Sequence, residues 1–548
     1  MIHYKMRRSA CIRARLLMFI SGAFFMFSTL FSSMLAAENL AFNLALAKTL
    51  ENRGSALAFY QDRGFAPIWA GMDAPEKARR SALIRALENA DTHGLPSFKY
   101  GLNRLLALAR SAKSQQDLGV LEGQMTLSFL RYAADVHTGL VVPGKVDENI
   151  FRKVKYLKDG DYLNPLASMD ANQFFTLLPP QTDNYRNLLA ARQDFLTILK
   201  EGGWGPKLVE EKLRPGERSQ SVVALRNRLI EKGYLRNTLS DRYGKILRSA
   251  VQRFQKDHGL SPDGVAGPLT LGELNVPVKD RLKAISVAME RERWVNDENW
   301  LDLPKSARQV QVNLTDFSAK ILDDDVVVFE TRSVIGANDE KRRSPEFSDR
   351  MEHMVVNPTW NVPRSITVGE YLPELQLDPF ALSELTLINP EGESVDRFNI
   401  NFNDYTEENF PYDLKQKPSQ RNALGLVKFM FPNPHNIYLH DTPQKSLFSR
   451  DERAFSHGCI RLHQPFDFAY ALLAKQTSTP KKTFQTALDL GEENIIFLRQ
   501  PVPVHIIYRT AVTGPDGRIG FRRDIYGRDA QIFAALQKAG VVITSNQG

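Results

Sequence analysis

"QVQVNLTDFSAKILDDDVVVFETRSVIG", Gln309–Gly336, decides the fold of the second half of this chain. Apolar and β-branched residues alternate along it, and the run is broken at Asp323–Asp325. Alternate side chains of a strand face opposite sides, so the pattern predicts two strands joined by a tight turn. Strand-like runs continue in "EHMVVNPTWNVP" from Glu352, "HNIYLHD" from His435, "ENIIFL" from Glu493 and "PVHIIYRTAV" from Pro503. Residues 308–512 therefore read as a mostly β domain. Within it, residues 364–421 form a stretch rich in Asn, Glu, Pro and Tyr. A segment that long inside a β domain is expected to be an inserted lid or capping subdomain.

Upstream the period changes. Residues 38–205 carry helical periodicity, as in "LEGQMTLSFLRYAADVHTGL" from Leu121, and they cluster no catalytic residue types. They are expected to form a helical scaffold, with His93 structural and "EGGWGPK" from Glu201 a Gly-rich linker. Residues 206–277 contain two amphipathic helices, Ser221–Leu235 and Gly244–Leu260, then a Pro/Asp/Gly turn and a short helix. A linker helix is expected over 278–307. Residues 513–548 read as a hairpin turning at Pro515–Gly517, a polar tail and a short helix, to which no chemistry is assigned. The fold class is thus multi-domain α+β, as a length of 548 residues also requires.

The net charge of +8 is concentrated at the start. Residues 1–37 hold Lys5, Arg7, Arg8, Arg13 and Arg15 and no acid, which leaves +3 for the remainder. That mild excess suits an acidic substrate and excludes a nucleic-acid footprint. The basic residues precede an uncharged apolar run, Leu16–Ala37, so residues 1–37 read as an export signal peptide or a retained N-terminal membrane anchor.

Export makes the cysteine usage informative. Of two cysteines, Cys11 lies in the signal, which leaves Cys459 alone in "SHGCIRL", Ser456–Leu462. Exported chains ordinarily pair their cysteines, and a lone thiol in polar company is a liability unless it reacts. Four of the ten histidines, His435, His440, His457 and His463, fall around it. Thiol catalysis needs a base to make the thiolate and donors to hold an oxyanion. His440 ends a strand-like run 19 residues before the thiol, and His457 lies two residues from it, so either could be the base. Gly458 lets a substrate carbonyl approach the backbone, and Arg461 could bind a substrate carboxylate in bidentate fashion or orient the loop. A zinc site built from His440, His457, Cys459 and His463 matches no standard ligand spacing.

Two resemblances follow from these motifs. Ala250, Val251, Phe254, Gln255, Gly259, Leu260, Asp263, Gly264, Gly267, Thr270, Leu274 and Asn275 match the pattern of the bacterial peptidoglycan-binding module. His440, then fifteen residues, then Ser456, His457, Gly458, Cys459 and Arg461 resemble the signature of the YkuD-type L,D-transpeptidases. The chain order resembles that of the large YcbB-type members. The resemblance implies Cys459 as nucleophile, His440 as general base and the Asp441 carbonyl as its orienter. It further implies an oxyanion pocket from His457, Gly458 and Cys459, with Ser456, Tyr438, Trp360 and Arg461 as substrate contacts. The implied reaction is acyl transfer from a tetrapeptide stem, through a Cys459 thioester, to the amine of a second stem. Water or an outer-membrane protein lysine are alternative acceptors, and a non-catalytic wall-binding protein is the alternative outside enzymology. No metal or organic cofactor is implied, and the partners are peptidoglycan stems and glycan in the periplasm, met by a monomer.

Overall fold

The computed structural model describes residues 38–295, 308–514 and 517–543. The signal or anchor read over residues 1–37 lies outside the described residues. No helix among the described residues is long and apolar enough to cross a membrane.

The N-terminal region is helical. Helices Gly54–Asp62, Ala74–Glu88, Leu102–Ser111, Asp159–Ser168 and Ala171–Leu177 share one core with a 24-residue helix, Gln115–Thr138. Ser114 starts that helix with a reciprocal capping box to Asp117. Its buried Glu122 accepts the N–H groups of Ile68, Trp69 and Ala70 and the phenol of Tyr60. Those donors replace the water that a carboxylate loses on burial.

Helix Asp183–Lys200 belongs elsewhere. Its Tyr185, Leu188 and Ala191 pack on Ile285, Ala288 and Met289 of helix Val278–Trp294, and on the C-terminal hairpin. The second of these helices was expected to be a linker; instead it is buried along most of its length. Its charged sequence disguised this, because its buried charges are paired, some within the helix and some with other regions. Arg293 pairs with Glu290, Arg291 with Glu346 and Asp529, and Glu292 with Arg509.

Between these two packed helices the chain makes an excursion, the three-helix module of Gln220–Glu231, Lys245–Asp257 and Pro268–Leu274. The motif residues have structural work here. The Gln255 amide donates to Asp263, to the Val265 carbonyl and to Thr270, and its oxygen accepts the Gly264 N–H.

The β domain begins with β1 (Gln309–Asn313), β2 (Ser318–Asp323), β3 (Val326–Gly336) and β4 (Phe347–Val356). After an insert containing β5 (Trp360–Asn361), β6 (Leu385–Ile388), β7 (Ser394–Val395) and β8 (Asp413–Gln416), it resumes with β9 (Val427–Met430) and β10 (Leu439–His440). It continues through β11 (Ala454–Ser456), β12 (Ile460–Leu462) and β13 (Asn494–Ile507). The large sheet has the order β11-β3-β12-β10-β9-β4-β13-β1-β2, and β2 pairs back onto β3. The N–H groups of Ser333 and Ile335 both point to one edge of β3, toward Phe317 and Arg453 respectively. So β2 and β11 share that edge while β12 takes the other, and eight strands close into a barrel with β11 appended. Closure removes the free edges that such apolar strands would otherwise expose.

The insert has its own sheet, β5-β8-β6-β7, and its own core around Trp360, Leu372, Leu387, Phe402 and Leu414. That core extends from Trp360 to Leu424, wider than the 364–421 read from composition. At the C-terminus, β14 (Ala511–Thr513) and β15 (Ile519–Phe521) form the expected hairpin, its residues 515 and 516 lying outside the described residues. Helix Arg528–Lys538 follows.

Candidate active site

Adjacent parallel strands bring the distant motif halves together. In the pairing of β10 with β12, Leu439 lies opposite Ile460 and His440 opposite Arg461. Leu439 and Ile460 are fully buried in the barrel core. Strand alternation therefore turns Tyr438, His440, Cys459 and Arg461 to the other face. Cys459 stands beside Tyr438, whose carbonyl accepts the Ile460 N–H, and one diagonal step from His440, while its thiol donates to the Asn436 carbonyl at 3.5 Å.

His440 is only 4% exposed, and its Nδ1 is bonded to the Asp441 carbonyl. A carbonyl only accepts, so the proton sits on Nδ1 and the Nε2 lone pair is left as a base. The Asp441 side chain holds that carbonyl in place. Its carboxylate accepts the N–H groups of Leu426 and Thr442 at 2.9 and 2.7 Å and the Lys445 ammonium at 2.6 Å. Gly425 makes room for it: φ there is +60°, and a Cβ would lie 2.3 Å from the Asp441 carboxyl carbon.

Electrostatics set the resting state. Burial, with Arg461 nearby, lowers the His440 pKa to about 3. Burial pushes the Cys459 thiol up to about 11, against bonds from the Tyr438 amide and phenol that favour its thiolate. Both groups are thus neutral near pH 7, a thiol and an imidazole rather than a preformed ion pair. Alkylation of Cys459 by iodoacetamide should then rise about tenfold per pH unit from pH 6 toward 10, because only the thiolate reacts. A rate that levels off below pH 7, measured by intact mass, would show a preformed thiolate instead.

The turn carrying the thiol is held from behind. Ser456 Oγ donates to the Cys459 carbonyl at 2.5 Å and accepts the Gly458 N–H at 3.2 Å. Ser456 therefore shapes the turn and is no substrate contact, and the Gly458 amide, expected in an oxyanion pocket, is already engaged. Gly458 itself has φ +111° with Ile437 Cδ1 at 3.2 Å from where a Cβ would stand, so no other residue fits without strain.

Its carbonyl accepts the Ser344 hydroxyl at 2.6 Å. Ser344 is in turn fixed by Tyr526, whose phenol accepts the Ser344 N–H at 3.3 Å, and by Arg528, which donates to its carbonyl at 2.9 Å. The C-terminal segment, read as a polar tail without chemistry, thus buttresses the turn that carries Cys459. Ser344, Tyr526 and Arg528 were missed by sequence reasoning, and no local motif marks them.

The other expected residues separate. Arg461 donates to Gln444 Oε1 at 2.6 Å, while its Nε is buried with no hydrogen-bond partner among the described residues. Trp360 is a core residue of the insert, edge-on to Tyr371. His457 turns away to Glu370 of the insert. His463 packs on Phe448, and His435 lies between Phe151 and Phe347. Among the described residues no group of three or more His, Cys, Asp or Glu side chains could hold a metal ion.

Residues 307–481 match the L,D-transpeptidase catalytic domain, YkuD; residues 218–274 match the family described as "Putative peptidoglycan binding domain"; residues 55–191 match a scaffold domain. A "Putative L,D-transpeptidase" of Haemophilus influenzae is 32% identical over 232 residues, which is 42% of this chain and 46% of that protein. The chain thus aligns with less than half the length of that relative. Two solved L,D-transpeptidase structures cover 55% of this chain at low overall similarity. That from Xylanimonas cellulosilytica is 15% identical with all of it covered and a TM-score of 0.16. That from Stackebrandtia nassauensis is 14% identical with 97% covered and a TM-score of 0.21. Barrel, motif and sequence match together identify residues 307–481 as a YkuD-type L,D-transpeptidase catalytic domain, carried on one chain with a peptidoglycan-binding domain.

Proposed function

We propose that this protein is a peptidoglycan L,D-transpeptidase of the YcbB type that forms 3→3 cross-links in the periplasm. The observation that carries the reading is the parallel pairing of β10 with β12, which faces the His440 imidazole and the Cys459 thiol the same way. A tetrapeptide stem binds with its acidic groups toward Arg461. His440 Nε2 takes the thiol proton as Cys459 attacks the carbonyl of the third residue, diaminopimelate. The imidazolium then gives that proton to the departing D-alanine amine. The Cys459 amide and the Tyr438 phenol hold the oxyanion. The thioester passes to the side-chain amine of a second stem. The energy of the new bond comes from the peptide bond that was broken, so no cofactor takes part.

The insert suits this chemistry, since a thioester that must await an amine gains from a wall that excludes water. The three-helix module keeps the enzyme on the wall, and the basic, apolar N-terminus directs export.

Incubation with a defined disaccharide-tetrapeptide, followed by mass spectrometry, tests the reading. The expected products are an acyl group on Cys459 and a dimer lacking one D-alanine. Tripeptide alone would make water the acceptor, and an unmodified Cys459 with intact substrate would leave a wall-binding protein.

A further inference from the structure

One pair in the site has no part in that mechanism. His457 Nε2 meets Glu370 Oε1 of the insert at 2.7 Å, a contact between the catalytic turn and the lid. We propose that Glu370 and His457 form the binding site for the acceptor, a primary ammonium, and that His457 takes its proton before attack. This rests on the transpeptidase reading and names the group that makes the acceptor an amine rather than water.

Accessibility separates the two imidazoles. The His440 ring lies beneath the surface, whereas the side chains of His457 and Glu370 are 34% and 45% exposed. His457 is two residues from the thiol, about 7 Å at most along the backbone. An incoming amine can therefore reach His457 directly and reaches His440 only past the thioester. The surroundings of the thiol also offer seats for both signs of charge. Arg461, with its unpartnered Nε, offers a seat for a carboxylate, and Glu370 one for a cation. The insert reinforces the second: residues 364–421 hold eleven acidic and five basic residues on a chain that is otherwise basic.

An alkylamine is protonated near pH 7, its pKa being about 10.4, and has no lone pair to offer. A carboxylate binds it, and an imidazole whose Nε2–H is donated to that carboxylate presents Nδ1 as the base. The ammonium gives one proton to His457 Nδ1, and its freed lone pair forms the C–N bond as the C–S bond breaks. The second nitrogen proton passes through His440 to the departing sulfur. The products are an amide, the Cys459 thiol and one proton, which His457 releases to water.

The test uses the whole protein with Glu370→Gln and, separately, His457→Gln. Three rates are followed by mass spectrometry: D-alanine release from the donor, capture of the thioester by a stem amine, and its capture by hydroxylamine. Hydroxylamine is largely unprotonated near neutral pH and needs neither cation site nor base. Glu370→Gln should keep D-alanine release and hydroxylamine capture near wild type, and both variants should lose transfer to the stem amine by about 10²-fold. Unaltered transfer to the stem amine overturns the acceptor site alone, as does an equal fall in all three rates. Absence of any acyl group on wild-type Cys459 overturns both this site and the reading beneath it.

Discussion

Cys459→Ser should abolish covalent capture of a carbapenem and all cross-linking, with melting behaviour unchanged. A serine hydroxyl has the same shape but is far less acidic than a thiol. His440 in this site is a weak base, held neutral by burial, with a pKa of about 3. It can assist a thiol raised to about 11 only as the proton leaves during attack, and a hydroxyl lies well beyond it. The loss should be about 10⁴-fold or more, by analogy with other nucleophile–base pairs. Intact mass after carbapenem exposure reads it directly. An adduct of equal mass and rate on the Cys459→Ser variant would move the nucleophile elsewhere. Cys459 only partly enters the barrel core, so the fold does not depend on its sulfur.

Arg528→Ala should do the opposite, damaging the fold first. Arg528 is fully buried, and its guanidinium meets Glu346 at 3.2 Å, Asp147 at 3.4 Å and the Ser344 carbonyl at 2.9 Å. It also lies over the rings of Tyr508 and Tyr526. Truncation leaves two buried carboxylates short of a partner. Removing one member of such a set costs about 3–5 kcal/mol, although Arg291 still holds Glu346 at 2.5 Å. A fall in melting temperature of about 10 °C is expected for a unit of this size. Activity of the fraction still folded should also fall, because Ser344 loses its brace and the Gly458 carbonyl its anchor. A change of under about 2 °C would remove the C-terminal segment from the account of this site.

The contrast between those two residues is also the contrast between what was legible and what was not. "SHGCIRL" announced a reactive thiol through composition alone, and "HNIYLH" offered an imidazole at a strand end. The hairpin at Asp323–Asp325 was visible because strand alternation is a local period; β2 and β3 join there. The peptidoglycan-binding motif was visible for a related reason: Gln255, Asp263, Gly264 and Thr270 bond to one another within fifteen residues.

Less was legible where charge and burial disagreed. Helix Val278–Trp294 looked like a solvated linker because its sequence is charged, and only partners such as Glu346, Arg509 and Asp529 explain its burial. Trp360 and Ser456 looked like substrate contacts by their place in the motifs, and one fills the core of the insert while the other shapes a turn.

What the sequence alone determined is the chemistry available: one thiol, a strand-borne imidazole, a β scaffold and a module with its own closed hydrogen-bond network. These depend on neighbours within a few turns of chain, and neighbours leave periodic or clustered marks. Only the tertiary structure decided which groups press on that chemistry. The Ser344 hydroxyl reaches Gly458 across 114 residues, and Glu370 reaches His457 across 87. A contact between two such distant single side chains has no period and no composition, because it exists only once the barrel has closed and brought its strands side by side.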